Sequence, residues 1–207
     1  MKNKPEFTIV LPYRSNSTFI DSCKRYLKQN TTHQYELLEI IDQPLVYTNF
    51  NNGVKQASCD TVIIMHDDMI FSKGWDEPII KYRDPKLVMT MQVVEPGNVG
   101  VDSRNHFFNA GLDPSSFNYD AFELHVNALR GGHFNGEIYY DTMGWYMPVV
   151  FHKSTYIPYP TEPEYPHPND ITLMNQLLPD AGFRFALVNS YVYHFQSGIH
   201  RQMRSEK

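Results

Sequence analysis

Cysteine is nearly absent: Cys23 and Cys59 are the two in 207 residues. Thiols this few and this far apart, each in or beside an expected helix, argue against a disulfide-stapled fold and fit free buried thiols in a reducing compartment. Basic residues are also scarce, 18 Lys and Arg against 23 Asp and Glu, which gives a net charge of −5. That balance argues against a nucleic-acid backbone as the main partner, because such proteins carry a basic face. A phosphate ligand would therefore need a local device: a metal, a helix N-terminus or a few cations. No apolar run approaches the roughly 20 residues that span a bilayer, and Met1 to Thr8 lacks the apolar core of a secretory signal. The sequence predicts no transmembrane segment and a cytoplasmic protein.

What is present fits a packed domain. Hydrophobic residues make up 42% and aromatics 14%, which excludes general disorder. The length suits one α/β domain, with nothing that demands two. The most informative stretch is Asp60-Thr61-Val62-Ile63-Ile64-Met65-His66-Asp67-Asp68-Met69, where a β-branched apolar run gives way to a knot of metal-capable side chains. Such a run reads as a strand buried on both faces in the middle of a parallel sheet. Ligands in open α/β sheets sit at the carboxyl ends of these strands, so His66, Asp67 and Asp68 mark the expected site. A divalent cation would offset the repulsion and lost hydration of two adjacent carboxylates. A plain turn or cap is the alternative reading of Asp-Asp at a strand end.

Around this stretch the chain alternates strand and helix. Phe7 to Tyr13 is a strand stopped by Pro12; Ser15, Asn16 and Ser17 offer N-caps for a helix to about Gln29. Glu36 to Ile41 is a second strand ending in Asp42, and this rhythm implies a right-handed βαβ unit. A helix follows from Tyr47 to Ser58, its start marked by Thr48. Gly53 inside it costs about 1 kcal/mol against alanine and suggests close approach by something else. Gly74-Trp75 opens a short helix, and Lys86 to Val94 is another strand, ended by Glu95-Pro96-Gly97. Residues 97–117 read as a long loop, Tyr119 to Leu129 as a helix with Gly131-Gly132 as its C-cap, and Glu137 to His152 as an extended region. Five prolines between Tyr156 and Pro168 predict an irregular arm. Asn169-Asp170 caps a helix to about Leu178, Phe183 to His194 is the last strand or strand pair, and a polar, cationic tail closes the chain.

In their order and spacing these elements resemble the GT-A glycosyltransferases of the family 2 type. Leu11-Pro12-Tyr13-Arg14-Ser15-Asn16 matches the family's first strand end, Asp42 its second-strand aspartate, Asn52-Gly53 with Ala57 its Asn-Gly segment, and His66-Asp67-Asp68 stands in place of its Asp-x-Asp. Gln43-Pro44 departs from the Asp-Gly-Ser that usually follows the second strand. Asn169-Asp170 with Ala181-Gly182 fits the family's acidic helix start, and His194 fits a late-strand histidine that completes the metal site. The resemblance covers about Phe7 to His194. It implies a single GT-A, Rossmann-like α/β domain with a central, mostly parallel sheet flanked by helices, its nucleotide-binding half at about 1–95 and its acceptor side at about 96–207.

The resemblance also implies a chemistry: transfer of a sugar from a nucleotide-diphosphate donor, a UDP- or GDP-sugar, to a hydroxyl of a glycan or other acceptor. Asp68 is then the chief metal ligand, joined by His194 and His66, with the imidazoles tilting preference to Mn²⁺ over Mg²⁺. Asp67 faces ribose or water, while Pro12, Tyr13, Asp42, Asn52 and Gly53 contact the nucleotide. Asp170 is the general base of an inverting transfer, a role compatible with its being a helix cap. Trp145 stacks on the acceptor sugar, Trp75 suits the core equally well, and Arg201 and Arg204 clamp diphosphate if the tail folds over. Two other readings use the same scaffold. A nucleotidyltransferase normally carries a glycine-rich loop after the first strand, which Leu11-Pro12-Tyr13-Arg14-Ser15 lacks. A non-catalytic binder of sugar nucleotide or glycan is suggested by His66 at the first acidic position.

Overall fold

The computed structural model describes residues 4–97, 105–132, 138–141, 147–161 and 169–195. Along the chain, β1 (Phe7–Tyr13), α1 (Ile20–Asn30), β2 (Tyr35–Ile41), α2 (Val46–Gln56), β3 (Thr61–Ile64), β4 (Met69–Phe71) and α3 (Glu77–Tyr82) lead to the long strand β5 (Leu87–Glu95). Then follow β6 (Asn105–Phe107), α4 (Tyr119–Gly132), β7 (Ile138–Asp141) and β8 (Val149–His152). The helical run α5 (Asn169–Thr172) passes through a π-helical turn at Leu173–Leu177 into α6 (Leu178–Asp180), and β9 (Arg184–His194) ends it.

All of these strands join one mixed sheet of order β2-β1-β3-β8-β5-β9-β4, with β6 on β5 and β7 on β9. The βαβ rhythm of the first half yields parallel pairing of β1 with both β2 and β3. The expectation of parallel neighbours on both sides of β3 is corrected: β8 lies antiparallel between β3 and β5. β5 and β9 resume parallel pairing, from Leu87↔Arg184 to Val94↔Tyr193. Their register shifts after Met91↔Val188, where Asn189 and Ser190 form a bulge before Gln92↔Tyr191.

Period-two alternation then sorts side chains between the two faces. Phe7, Ile9 and Leu11 of β1 point to a core under α1 and α3 that includes Trp75, while Val10 points to a second core under α2. A third cluster, with Tyr191, Tyr193, Phe122 and Phe195, fills the space under α4. Trp75 is fully buried, with its indole N–H donating to Thr31 Oγ1 at 3.0 Å, so it belongs to the core. No helix among the described residues is long and apolar enough to cross a membrane.

Several local expectations change. α1 begins at Ile20 with no side-chain cap, and α2 begins at Val46, which leaves Thr48 inside the helix. The stretch expected as loop contains β6, docked on the end of β5. Gly53 is packed against the sheet: a Cβ there would lie 2.2 Å from Cγ1 of Val10. The close approach read from the sequence is therefore made by β1. Gly53→Ala should destabilise the protein by about 1–3 kcal/mol through overpacking, measurable as a lower urea midpoint.

Candidate functional site

β3 is short because the chain leaves the sheet after Ile64. Met65 N–H donates to Val10 O at 3.3 Å, and a turn at Asp67 and Asp68 follows before β4. β4 pairs antiparallel with β9, Met69 opposite His194, and Phe195 N–H donates to Asp68 O at 3.1 Å. The switch of partner from β1 and β8 to β9 is what carries Asp68 to His194.

Asp68 Oδ2 lies 3.2 Å from Nε2 of His194, and Nδ1 of the same ring lies 2.8 Å from Oε1 of Glu95. Burial opposes a charge on His194, but the hydrogen bonds and charges of Asp68 and Glu95 outweigh it and raise the imidazole to about 9. Burial likewise opposes the Asp68 carboxylate, and the His194 partner outweighs it to hold Asp68 below its ordinary range. Oδ1 of Asp68 is buried without a hydrogen-bond partner.

Asp68 lines a cleft of about 480 Å³ whose walls are the end of β1 and the loop after it, residues 12–14 and 16–19, and the segment entering α2; its partner His194 is not among the lining residues. Pro12 and Tyr13 line it beside Arg14, Asn16 and Ser17, and Gln43, Pro44, Val46 and Asn49 complete the lining. Asp67 also lines the cleft, where its Oδ2 accepts from the Ser17 hydroxyl. Burial pushes the Asp67 carboxyl up, the Ser17 bond pulls against it, and the neighbouring Asp68 charge raises it further.

Other expected residues are placed elsewhere. Asp42 is exposed with φ 57, and its Oδ1 accepts from Ser15 N–H at 2.8 Å, which keeps the carboxyl low and ties the cleft loop to the end of β2. Asp42, Asn52 and Gly53 are not among the residues lining the cleft. Asn52 is exposed on α2, and the cleft-facing positions of that helix are Val46 and Asn49, one turn apart. Its buried neighbour Asn51 instead secures the arm after β8, donating to Tyr159 O at 2.9 Å and accepting from Tyr159 N–H and Tyr156 OH. His66 stacks nearly parallel on Phe50 of α2, centroids 6.0 Å apart; it is not among the residues lining the cleft, though its charge pulls the carboxyls of Asp67 and Asp68 downward. Asp170 is placed at the head of α5, but the position of its side chain is not described. Trp145, Arg201 and Arg204 lie outside the described residues.

Sequence reasoning missed Glu95, Ser17 and Asn49. Glu95 carried a readable signal, a carboxylate at the last position of a strand that is otherwise buried throughout. Ser17 was legible only as a cap.

Among the described residues no group of three or more His, Cys, Asp and Glu is disposed to hold a metal. Two candidate donors adjoin: Asp68, a buried carboxylate with an unpartnered oxygen, and His194, an imidazole whose second nitrogen is held by Glu95. This donor set fits a hard cation whose remaining ligands come from a substrate or water.

No protein-family model matches this chain, and no curated protein does. Among solved structures, the crystal structure of GalNAc-T7 with UDP, GalNAc and Mn²⁺ superposes with a TM-score of 0.64 at 9% identity, covering 94% of this chain. The fold is GT-A-like. This GT-A-like chain spans 44% of the length of that neighbour, and at such identity the likeness shows the fold alone.

The raised pKa of His194 has a thermodynamic sign. An imidazole lifted above 6.5 on folding contributes stability that is complete below about pH 6.5 and lost as pH rises through about 9. In metal-free buffer, urea unfolding between pH 6 and 10 should show that loss, and it should be absent in His194→Gln.

Proposed function

We propose that the protein is a divalent-metal-dependent glycosyltransferase that moves a sugar from a UDP- or GDP-sugar to an acceptor hydroxyl with inversion. The observation that carries this reading is the buried, unpartnered Oδ1 of Asp68, a residue that pairs with His194 and lines a cleft large enough for a nucleotide. Asp68 and His194 would hold the cation, Mn²⁺ in preference to Mg²⁺ because one donor is imidazole. When bound, such a cation supplies positive charge against a diphosphate as the anomeric bond breaks.

The chain's own residues supply the rest. Pro12, Tyr13 and Val46 offer apolar surface to the nucleoside, and the amides of Gln43 and Asn49 face it across the cleft. Arg14 lines the same cleft and would supply a cation to an incoming phosphate. Asp67, fixed by Ser17, accepts from a ribose or sugar hydroxyl. Asp170 takes the proton of the acceptor hydroxyl while that oxygen attacks the anomeric carbon opposite the leaving nucleoside diphosphate. The donor half is residues 1–95 and the acceptor side residues 96–207, with Trp145 as the acceptor platform. The protein works in the cytoplasm, where Cys23 and Cys59 stay as buried free thiols.

Hydrolysis of UDP- and GDP-sugars, followed with and without Mn²⁺, tests the reading. Turnover should require the metal and fall about 100-fold or more in Asp68→Asn. Asp170→Asn should keep UDP and Mn²⁺ affinity yet lose about 10²–10⁴-fold in kcat. Metal-dependent UDP binding with no turnover of any sugar donor or acceptor would make the chain a binder.

A further inference from the structure

Glu95 is the last residue of β5 and one of the few charged side chains in the interior, 5% exposed. Its placement follows from register. Val93 and Val192 lie in the core under α1 and α3, and Val94 is opposite Tyr193. Glu95 and His194, two residues further along their strands, therefore share that same face. The two side chains meet at 2.8 Å through Oε1 and Nδ1, and Glu95 is not among the residues lining the cleft.

Two carboxylates thus grip one imidazole from opposite ring nitrogens, and they are not equivalent. Asp68 reaches the cleft and keeps one oxygen without a partner, whereas Glu95 approaches the ring nitrogen turned away from Asp68. An imidazole can serve a cation through one nitrogen only, and the bond made by the other selects which.

We propose that Glu95 is a positioning residue: its Oε1 holds Nδ1–H of His194, so that Nε2 is the ring nitrogen presented to a cation beside Asp68. This rests on the metal-dependent transferase reading above. A buried glutamate that merely fills space or props the fold would leave metal affinity alone or damage everything together.

The test is Mn²⁺ binding to the full chain with and without UDP, read by electron paramagnetic resonance of the free ion, in wild type, Glu95→Ala and Glu95→Gln. Melting temperature and metal-free UDP affinity are measured alongside. Glu95→Ala should weaken Mn²⁺ binding about 10- to 100-fold. Glu95→Gln, which keeps an oxygen acceptor for Nδ1–H, should restore affinity to within a few-fold, and metal-free UDP binding should not change in either variant. An unchanged Mn²⁺ affinity in Glu95→Ala overturns the proposal, as does a loss that glutamine does not relieve or one matched by an equal loss of metal-free UDP binding. If wild type takes up no Mn²⁺ even with UDP, the transferase reading fails and this proposal with it. Uptake by wild type and by Glu95→Ala alike removes this proposal alone.

Discussion

A carboxylate oxygen held out of water without a hydrogen-bond partner is expensive, and Asp68 carries one at the turn between β3 and β4. What keeps the carboxylate ionised there is His194, and what keeps His194 in place is Glu95 behind it. The three side chains come from three strands, β5, β9 and the exit of β3, so their meeting depends on the whole right-hand part of the sheet. A small error in any one register would separate them. The polar triad is therefore sensitive to the alignment of the sheet.

The cleft in front of the triad is built by loops that borrow their rigidity from hydrogen bonds outside it. Asp42 accepts from Ser15 N–H and so binds the end of β2 to the loop after β1. Ser17 closes that loop onto Asp67. α2 can bring Val46 and Asn49 to the opposite wall because Gly53, one turn further on, lets the helix settle against Val10. Residues that a motif-based reading would place on the ligand thus serve to hold those that line its cleft.

How much of this was legible in the sequence depends on the range of the interaction. Strands β1, β2, β3 and β5 and most helices follow from apolar periodicity, and the end of β3 was marked by the abrupt change from Ile63-Ile64 to His66-Asp67-Asp68. Pairing between distant segments left no such trace. Nothing local says that β8 enters antiparallel between β3 and β5, because that placement is decided by which faces remain uncovered once the parallel strands have formed. The same holds for the site. Asp68 was readable as a candidate from residue type and position at a strand end and His194 only through the family resemblance, whereas Glu95, a carboxylate at a strand end, gains its partner only once β5 and β9 are set side by side. Asn52 and Gly53 were misplaced for a related reason: a glycine flags a close approach without naming the neighbour, and here the neighbour is Val10.

The bulge at Asn189 and Ser190 has a consequence for spacing. Counting pairs upward from Met91 and Val188, an uninterrupted ladder would set Glu95 beside Val192 and leave the imidazole two positions higher, about 7 Å past its partner. Two extra links of chain, one of them anchored by the Ser190 hydroxyl to Trp75 O, take up that slack. The ring reaches its carboxylates by arc length: a pair of residues outside the cleft acts as the spacer that sets the address of the histidine between Asp68 and Glu95.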